Sequence, residues 1–320
     1  MRHLIINADG YGFTAGTTRA IEECIAFGTV SSISVNVNFA HAASLAALVK
    51  RHPGLSVGCH VNPIVGPPLL GPEKVPTLVN EKGEFLYRAF ARRFLSGLIR
   101  LEELRAEMTA QIEKTRELAG EAFSHVDFHM GLHRLPTLYR LFLDVAAACD
   151  VRRTRAHTYV VGMESRFPRL CHAAHLMKRP ARVPKWLWNY CLKAWALSRG
   201  MALPDRRVEI TGMASRPERI TASHYSAMLK NLPDGFSEFV AHPGYVDASL
   251  KRWSKYLEPR EQELRVLLSA EFRQALARSD VRLAGYRDIP VTARLRRVPQ
   301  PLRREHGTAN GAEREAWRES

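Results

Sequence analysis

Residues 1–13 read MRHLIINADGYGF, and the ending of the apolar run Leu4-Ile5-Ile6 at Asn7-Ala8-Asp9-Gly10 decides how the rest is read. Apolar residues at successive positions mark a strand buried on both faces, the habit of a parallel sheet. This strand stops at a carboxylate followed directly by glycine.

Working outward, short apolar runs alternate with helical periods. Thr14 to Phe27 reads as a helix, with Thr14 as N-cap and Gly28 as stop. Residues 30–38 (VSSISVNVN) alternate strictly and are β-branched, as a strand should be. A helix over 40–51 and a strand over 55–62 (LSVGCHVN) follow, then a Pro/Gly-rich loop over 63–84. An amphipathic helix is predicted over 101–119, a strand over 125–129 (HVDFH) and a helix over 136–149. Later come a strand over 236–242, one helix over 260–278 and a last strand over 281–283. Strand–helix alternation from the first residue predicts a parallel α/β architecture. In such folds active sites collect where strands end. Asp9, Asn38, His60, His129 and His242 all stand at or near strand exits.

Each of these has a plain explanation in isolation. A single histidine at a strand end is usually a surface or capping residue, and Asp9 alone suits the cap of the next helix. Three histidines and an aspartate at equivalent topological positions together resemble a metal-assisted hydrolytic site.

Composition limits the classes. The chain has 320 residues with 46% hydrophobic content, enough for one large domain. No apolar run is long enough to span a bilayer, and no signal-peptide pattern opens the chain, so a cytoplasmic protein is expected. The five cysteines are scattered without a CxxC pair, which indicates neither a disulfide framework nor a cysteine-rich zinc site. Cys59, beside His60, should point to the opposite side of its strand, into the core. The net charge is +15, and residues 151–200 hold 11 Lys and Arg against 1 Glu, a local excess of +10. A patch of that kind points to an anionic partner. Within it, PKWLWNYCLKAWALSR (184–199) sets Trp186, Trp188, Tyr190 and Trp195 among basic residues. That mixture suits a membrane interface, nucleic-acid stacking, or an insertion whose aromatics pack on the main fold. In the membrane case the protein would sit at the inner face of the bilayer, and Arg152, Arg153 and Arg155 would meet phosphates there.

Five segments carry a family resemblance: NADGYGF (7–13), GTVSSISVNVN (28–38), LSVGCHVNPIVGPPL (55–69), HVDFHMGLH (125–133) and AHPGYVD (241–247). In this order and spacing the chain resembles the YdjC-like carbohydrate deacetylases, which include chitooligosaccharide deacetylases and hopanoid-biosynthesis-associated members. The resemblance implies an irregular (β/α) barrel of the polysaccharide-deacetylase type over 1–290. The stretch 151–215 is expected to be a variable basic insertion, and 291–320 a disordered tail. It also implies a metal-dependent hydrolase that removes an N-acetyl group from a sugar or sugar conjugate.

Residue by residue, the resemblance makes Asp9 the general base and His242 the group that, as imidazolium, protonates the leaving amine. It makes His60 and His129 ligands of one divalent ion, Mg or Zn. The family usually carries a second aspartate, a metal ligand, where this chain has Gly10. Asp9 is therefore expected to serve as ligand as well as base. Asn38, His133, Tyr245 and Arg153 are expected at the substrate, and Asp127 is either an orienting partner of a ligand histidine or a turn residue. The missing carboxylate at Gly10 motivates the competing reading, a glycan-binding family member that does not hydrolyse. An acetylated sugar is the expected partner, nucleic acid ranks last, and a homodimer is left open.

Overall fold

The computed structural model describes residues 1–213 and 215–291. The tail expected over 291–320 lies, beyond its first residue, outside the described residues. Eight strands form one parallel sheet: β1 (Arg2–Tyr11), β2 (Ser32–Val35), β3 (Ser56–Val61), β4 (Phe123–Phe128), β5 (Tyr159–Val161), β6 (Arg206–Glu209), β7 (Gly235–Ala241) and β8 (Val281–Leu283). The order is β4-β3-β2-β1-β7-β6-β5, and β8 pairs the N-terminal half of β1 on the side that β2 takes further along. The sheet curls towards closure. Backbone bridges join Val126 of β4 to Thr154 and Arg153 to Ala202, just before β6. This is the irregular barrel that the sequence leads one to expect.

Alternation along β1 explains why its apolar run is needed. Leu4, Ile6 and Ala8 face outward into the main core, which includes Ala20, Ile21 and Cys24 of the helix Ala15–Phe27. Ile5 points inward and packs with Ala284, Tyr286 and Ile289. Asn7 and Asp9 follow on that inner side. The helix Ala15–Phe27 begins where Thr14 Oγ1 accepts from Thr17 N and ends at Gly28, whose φ of 82° only glycine adopts freely. The helix Leu101–Ala119 buries Leu104, Met108 and Ile112 at helical spacing. It also buries Glu107 and Gln111, which accept from Leu69 N and Asn62 N and so fasten the start of the 63–84 loop to this helix.

The structure departs from the sequence reading in three places. The helix expected over 260–278 is two helices, Glu258–Leu267 and Ala270–Arg278, because Ser269 caps the second through Phe272 N. β1 does not end at Asp9 but runs to Tyr11 through a register shift. The stretch 151–215, expected as an insertion, contains β5 and β6; only the helices between them, Pro168–Met177 and Val183–Ser198, leave the sheet. Strands of three and four residues carry too little alternation to be read from sequence.

Candidate active site

The register shift in β1 falls between Asp9 and Tyr11, and Gly10 lies there with φ +101°. This is a bulge that glycine permits and other residues resist. It follows Asp9, whose carboxylate lines a cavity of about 550 Å³ at the C-terminal ends of the strands. Gly10, His60, Asp127, His129, His133 and His242 line the same cavity.

At its floor lies Arg155, a buried residue that accounts for most of the site's electrostatics. Its Nη1 and Nη2 donate to Asp9 Oδ2 (2.8 Å) and Oδ1 (2.6 Å), its Nη2 also pairs with Asp127 Oδ2 (2.5 Å), and its Nε donates to Glu238 Oε1 (2.9 Å). Burial works against the charge on this guanidinium, but Asp127, Asp9 and Glu238 outweigh it and hold its pKa well above the ordinary arginine value. The effect on Asp9 is reciprocal. Burial would raise its carboxyl pKa, but Arg155 and His60 hold it far below the usual carboxylate range.

Asp127 resolves as the orienting residue. His60 Nδ1 donates to Asp127 Oδ1 at 2.8 Å, while Ser34 Oγ and Arg155 occupy Oδ2. The bond turns His60 Nε2 towards Asp9 Oδ2, 3.9 Å away. His242 Nε2 stands 3.8 Å from the same oxygen. Burial works against charge on His60, yet Asp127 and Asp9 outweigh it and raise its pKa. His242 goes the other way. Burial, with Arg260 and Arg155 nearby, brings it down to about 3 despite Asp9. The imidazolium expected there is therefore neutral at rest.

His129 follows β4, where Met130 and Gly131 adopt left-handed conformations and turn the chain back across the cavity. Its ring meets that of His60 edge to face at 5.0 Å. His133, one turn on, stacks on His157 at 4.8 Å, and Tyr139 Oη bonds His157 Nε2. Among the described residues, Asp9, His60 and Asp127 form the group whose donor atoms all lie within 4.8 Å of one another.

Three residues expected at the substrate lie elsewhere. Asn38 donates from Nδ2 to Val65 O and Pro67 O and accepts from Asn62, so its amide is spent on the loop wall. Asn36, two residues earlier, lines the cavity with both amide atoms unpartnered. Tyr245 packs outside the cavity, its hydroxyl on Glu23 and its ring under Arg19. Arg153 donates to Ile289 O and Arg287 O and holds the barrel's far end. Arg152 pairs with Asp150, so the arginine trio does not form a phosphate site. Cys59 is buried in the second core, as alternation predicts. His157 and Arg260 are site residues that sequence reasoning did not place, and Arg155, expected at a phosphate, instead pairs with Asp9, Asp127 and Glu238 inside the barrel. Arg155 is in a segment without periodicity, and the others carry no local signal.

A pH prediction arises here. His125, His157 and His242 are brought down to about 3, mainly by burial, whereas unfolded histidines titrate near 6.5. Between those values the unfolded chain binds more protons than the folded one. The stabilisation from these histidines is complete above about pH 6.5 and is lost as pH falls towards 3; the raised His60, Glu238 and Glu263, the last pushed up to about 7, offset only part of it. In chelator, the melting temperature should fall steadily from pH 7 to pH 4.5. A flat profile would contradict these assignments.

Comparison with known proteins agrees with the geometry. A family model described as YdjC-like protein matches residues 3–278. The chain is 30% identical over 289 residues to the chitooligosaccharide deacetylase of Yersinia enterocolitica, covering 89% of this chain and 98% of the relative. It is 29% identical over 309 residues to the carbohydrate deacetylase of Mus musculus, covering 89% and 94%. A solved structure from Enterococcus faecalis V583, of a candidate cellobiose-phosphate cleavage protein, shares the fold. Its TM-score is 0.67 at 23% identity, covering 89% of this chain and 97% of that one.

Proposed function

We infer the activity of this chain from one premise: it belongs to the YdjC-like protein family. The reaction we propose is hydrolysis of the N-acetyl amide of an acetylated sugar or sugar conjugate. The observation that carries it is the Asp9 carboxylate, with Oδ2 between His60 Nε2 and His242 Nε2 in a cavity at the strand exits. Relatives named for carbohydrate and chitooligosaccharide deacetylation support the substrate class.

The donor set fits a divalent cation. The Nδ1 bond to Asp127 leaves Nε2 of His60 facing the Asp9 oxygen, where a cation would displace its proton, and a carboxylate on the other nitrogen is how metal-binding histidines are presented. His60 and Asp9 would hold the ion, with His129 as the next nitrogen. Asp127 already gives both oxygens to His60, Ser34 and Arg155. When bound, such an ion, Zn or Mg, polarises the acyl carbonyl and acidifies water. The remaining work falls to the chain's own residues. Asp9 stays a carboxylate, suited to accept a hydrogen bond from the attacking water and fix its direction. Neutral His242 can take the water's proton and, then an imidazolium, deliver it to the departing amine. His133 and Asn36 face the space the sugar would fill.

Metal titration with His60→Ala as control tests this reading. One divalent ion per chain, lost in the variant, is expected, together with acetate release from chitooligosaccharides. No binding at millimolar metal and no acetate release would favour the second reading, a glycan binder without turnover. Two observations support that alternative: Gly10 brings no carboxylate, and both Asp9 oxygens are bonded to Arg155.

An anionic membrane is a further partner we propose, so that the enzyme works at a bilayer surface on a lipid-linked sugar. No helix among the described residues is long and apolar enough to cross a membrane. Trp188 and Trp195 pack against the barrel: Trp188 Nε1 donates to Arg134 O, and Trp195 meets Tyr139. Phe167, Leu170, Met177, Leu187 and Tyr190 are exposed on the two-helix excursion, within the stretch of +10 excess. Apolar tips among basic residues favour an anionic interface. Vesicles containing phosphatidylglycerol should co-sediment the protein, and Leu170→Ser with Leu187→Ser should reduce binding severalfold. Equal binding to neutral vesicles would rule out the electrostatic part.

A further inference from the structure

Arg260 is the second buried guanidinium at the cavity, and its surroundings differ from those of Arg155. It is 6% exposed and reaches the cavity from the helix Glu258–Leu267. Arg155 is neutralised by three carboxylates, whereas no carboxylate oxygen of the described residues lies within ion-pair distance of Arg260. Its Nε donates to Tyr256 O at 3.0 Å and its Nη1 makes a long bond to His242 O at 3.4 Å. Its aliphatic stem lies against Gly244, where an added Cβ would stand 3.5 Å from Cδ. The guanidinium is thus held in place with donor capacity left over, beside the bulge at Gly10. A Cβ built at Gly10 would stand 3.8 Å from Arg260 Nη1. A side chain at position 10 would therefore project towards this cation, and here nothing does.

A buried cation with no direct ion pair is costly; Glu263 and Asp9 favour its charge, but neither touches it among the described residues, and a cation so placed in a cleft is a candidate anion site. Burial accordingly lowers the pKa of Arg260, although a guanidinium keeps its proton in water-accessible sites. The negative charge expected in this cavity is the one formed during amide hydrolysis. As the water oxygen bonds to the acyl carbon, the carbonyl electron pair moves onto the acyl oxygen. It returns when the C–N bond breaks, the amine leaves with the bonding pair and takes a proton, and the acyl group departs as acetate. Both the oxyanion and the acetate product are anions at the atoms next to Asp9 and His242.

We propose that Arg260 is a catalytic residue: its guanidinium binds the acyl oxygen of the substrate and, afterwards, the carboxylate of acetate, from the space opened by Gly10. This rests on the deacetylase reading and deepens it, because a fixed cation supplies acyl-oxygen stabilisation that a two-histidine site lacking the second aspartate needs.

Acetate binding to chelator-treated protein separates this role from a merely structural one. Titration of wild type with sodium acetate should show saturable binding, and Arg260→Met should weaken it about tenfold or more, the loss expected for one charge-assisted bond to an anion. Arg260→Lys should recover part of the affinity. In acetate-release assays, Arg260→Met should lower kcat by roughly a hundredfold with a smaller change in KM. Wild-type acetate affinity in a folded Arg260→Met variant would overturn the proposal. If that variant does not fold, a crystal structure of wild type grown with acetate decides. The carboxylate against Arg260 supports the proposal, and acetate elsewhere or absent overturns it. Failure of the deacetylase reading looks different: wild type would then release no acetate from any sugar, whatever Arg260 binds.

Discussion

Arg155→Met should be the most destabilising single substitution in the barrel. Among the described residues, the guanidinium is the one Lys or Arg group paired directly with Asp9 and Glu238, and it shares Asp127 with His60. Removing it leaves three buried carboxylates facing one another. Glu238 is already raised by burial even with Arg155 present, so it would be the first to take a proton. Removing one partner from a buried ion pair costs about 3–5 kcal/mol, and three acids depend on this one. A domain stable by about 5–15 kcal/mol does not absorb that easily. Denaturant or thermal unfolding should show a large drop, or the variant should fail to express in folded form. Adding Glu238→Gln should recover part of the loss, since it removes one unpaired charge. A melting temperature within about 2 °C of wild type would show that Arg155 is not the electrostatic centre of the barrel.

Asp9→Asn should remove activity while the barrel still folds, at a smaller cost in stability. Asparagine keeps the size and one acceptor oxygen, Asn7 remains beside it, and Arg155 keeps Asp127 and Glu238. What is lost is the negative charge between His60 and His242. The attacking water loses its acceptor, and the imidazolium formed at His242 loses the carboxylate 3.8 Å away that stabilises it. Losses of this kind run to roughly a thousandfold in kcat. Acetate release should fall by about that factor while circular dichroism stays close to wild type; melting should fall, though less than in Arg155→Met, because an amide NH2 replaces one of the two oxygens that accept from Arg155. Turnover within threefold of wild type would remove Asp9 from the mechanism.

These two predictions also mark what could be read in advance. Asp9, His60, His129 and His242 were legible because each stands at the exit of an apolar run, where a barrel opens. The strand-exit rule failed at Asn38. Ser34, Asn36 and Asn38 share a parity, but β2 ends at Val35, and beyond it the chain turns so that Asn38 grips the loop at Val65 and Pro67. Tyr245 and Arg153, expected at the substrate without any strand-exit signal, are turned elsewhere by their neighbours, Glu23 and Arg19 for one, residues 287–289 for the other.

The sequence by itself determined the parallel α/β layout, most of the longer elements, the family, and the four ionisable residues at the cavity. Those features are written locally, in side-chain period, caps, and residues next to one another in the chain. Only the tertiary structure decided that Arg155 neutralises Asp9, that Asp127 aims His60, and that Arg260 stands beside Gly10 with no carboxylate of the described residues in contact. These are contacts across 146, 67 and 250 residues of chain, made by side chains from different strands and helices pointing into one barrel. Charge pairing depends on distance in space and on exclusion of water. Neither is encoded in the spacing of residues along a chain until the sheet has closed around them.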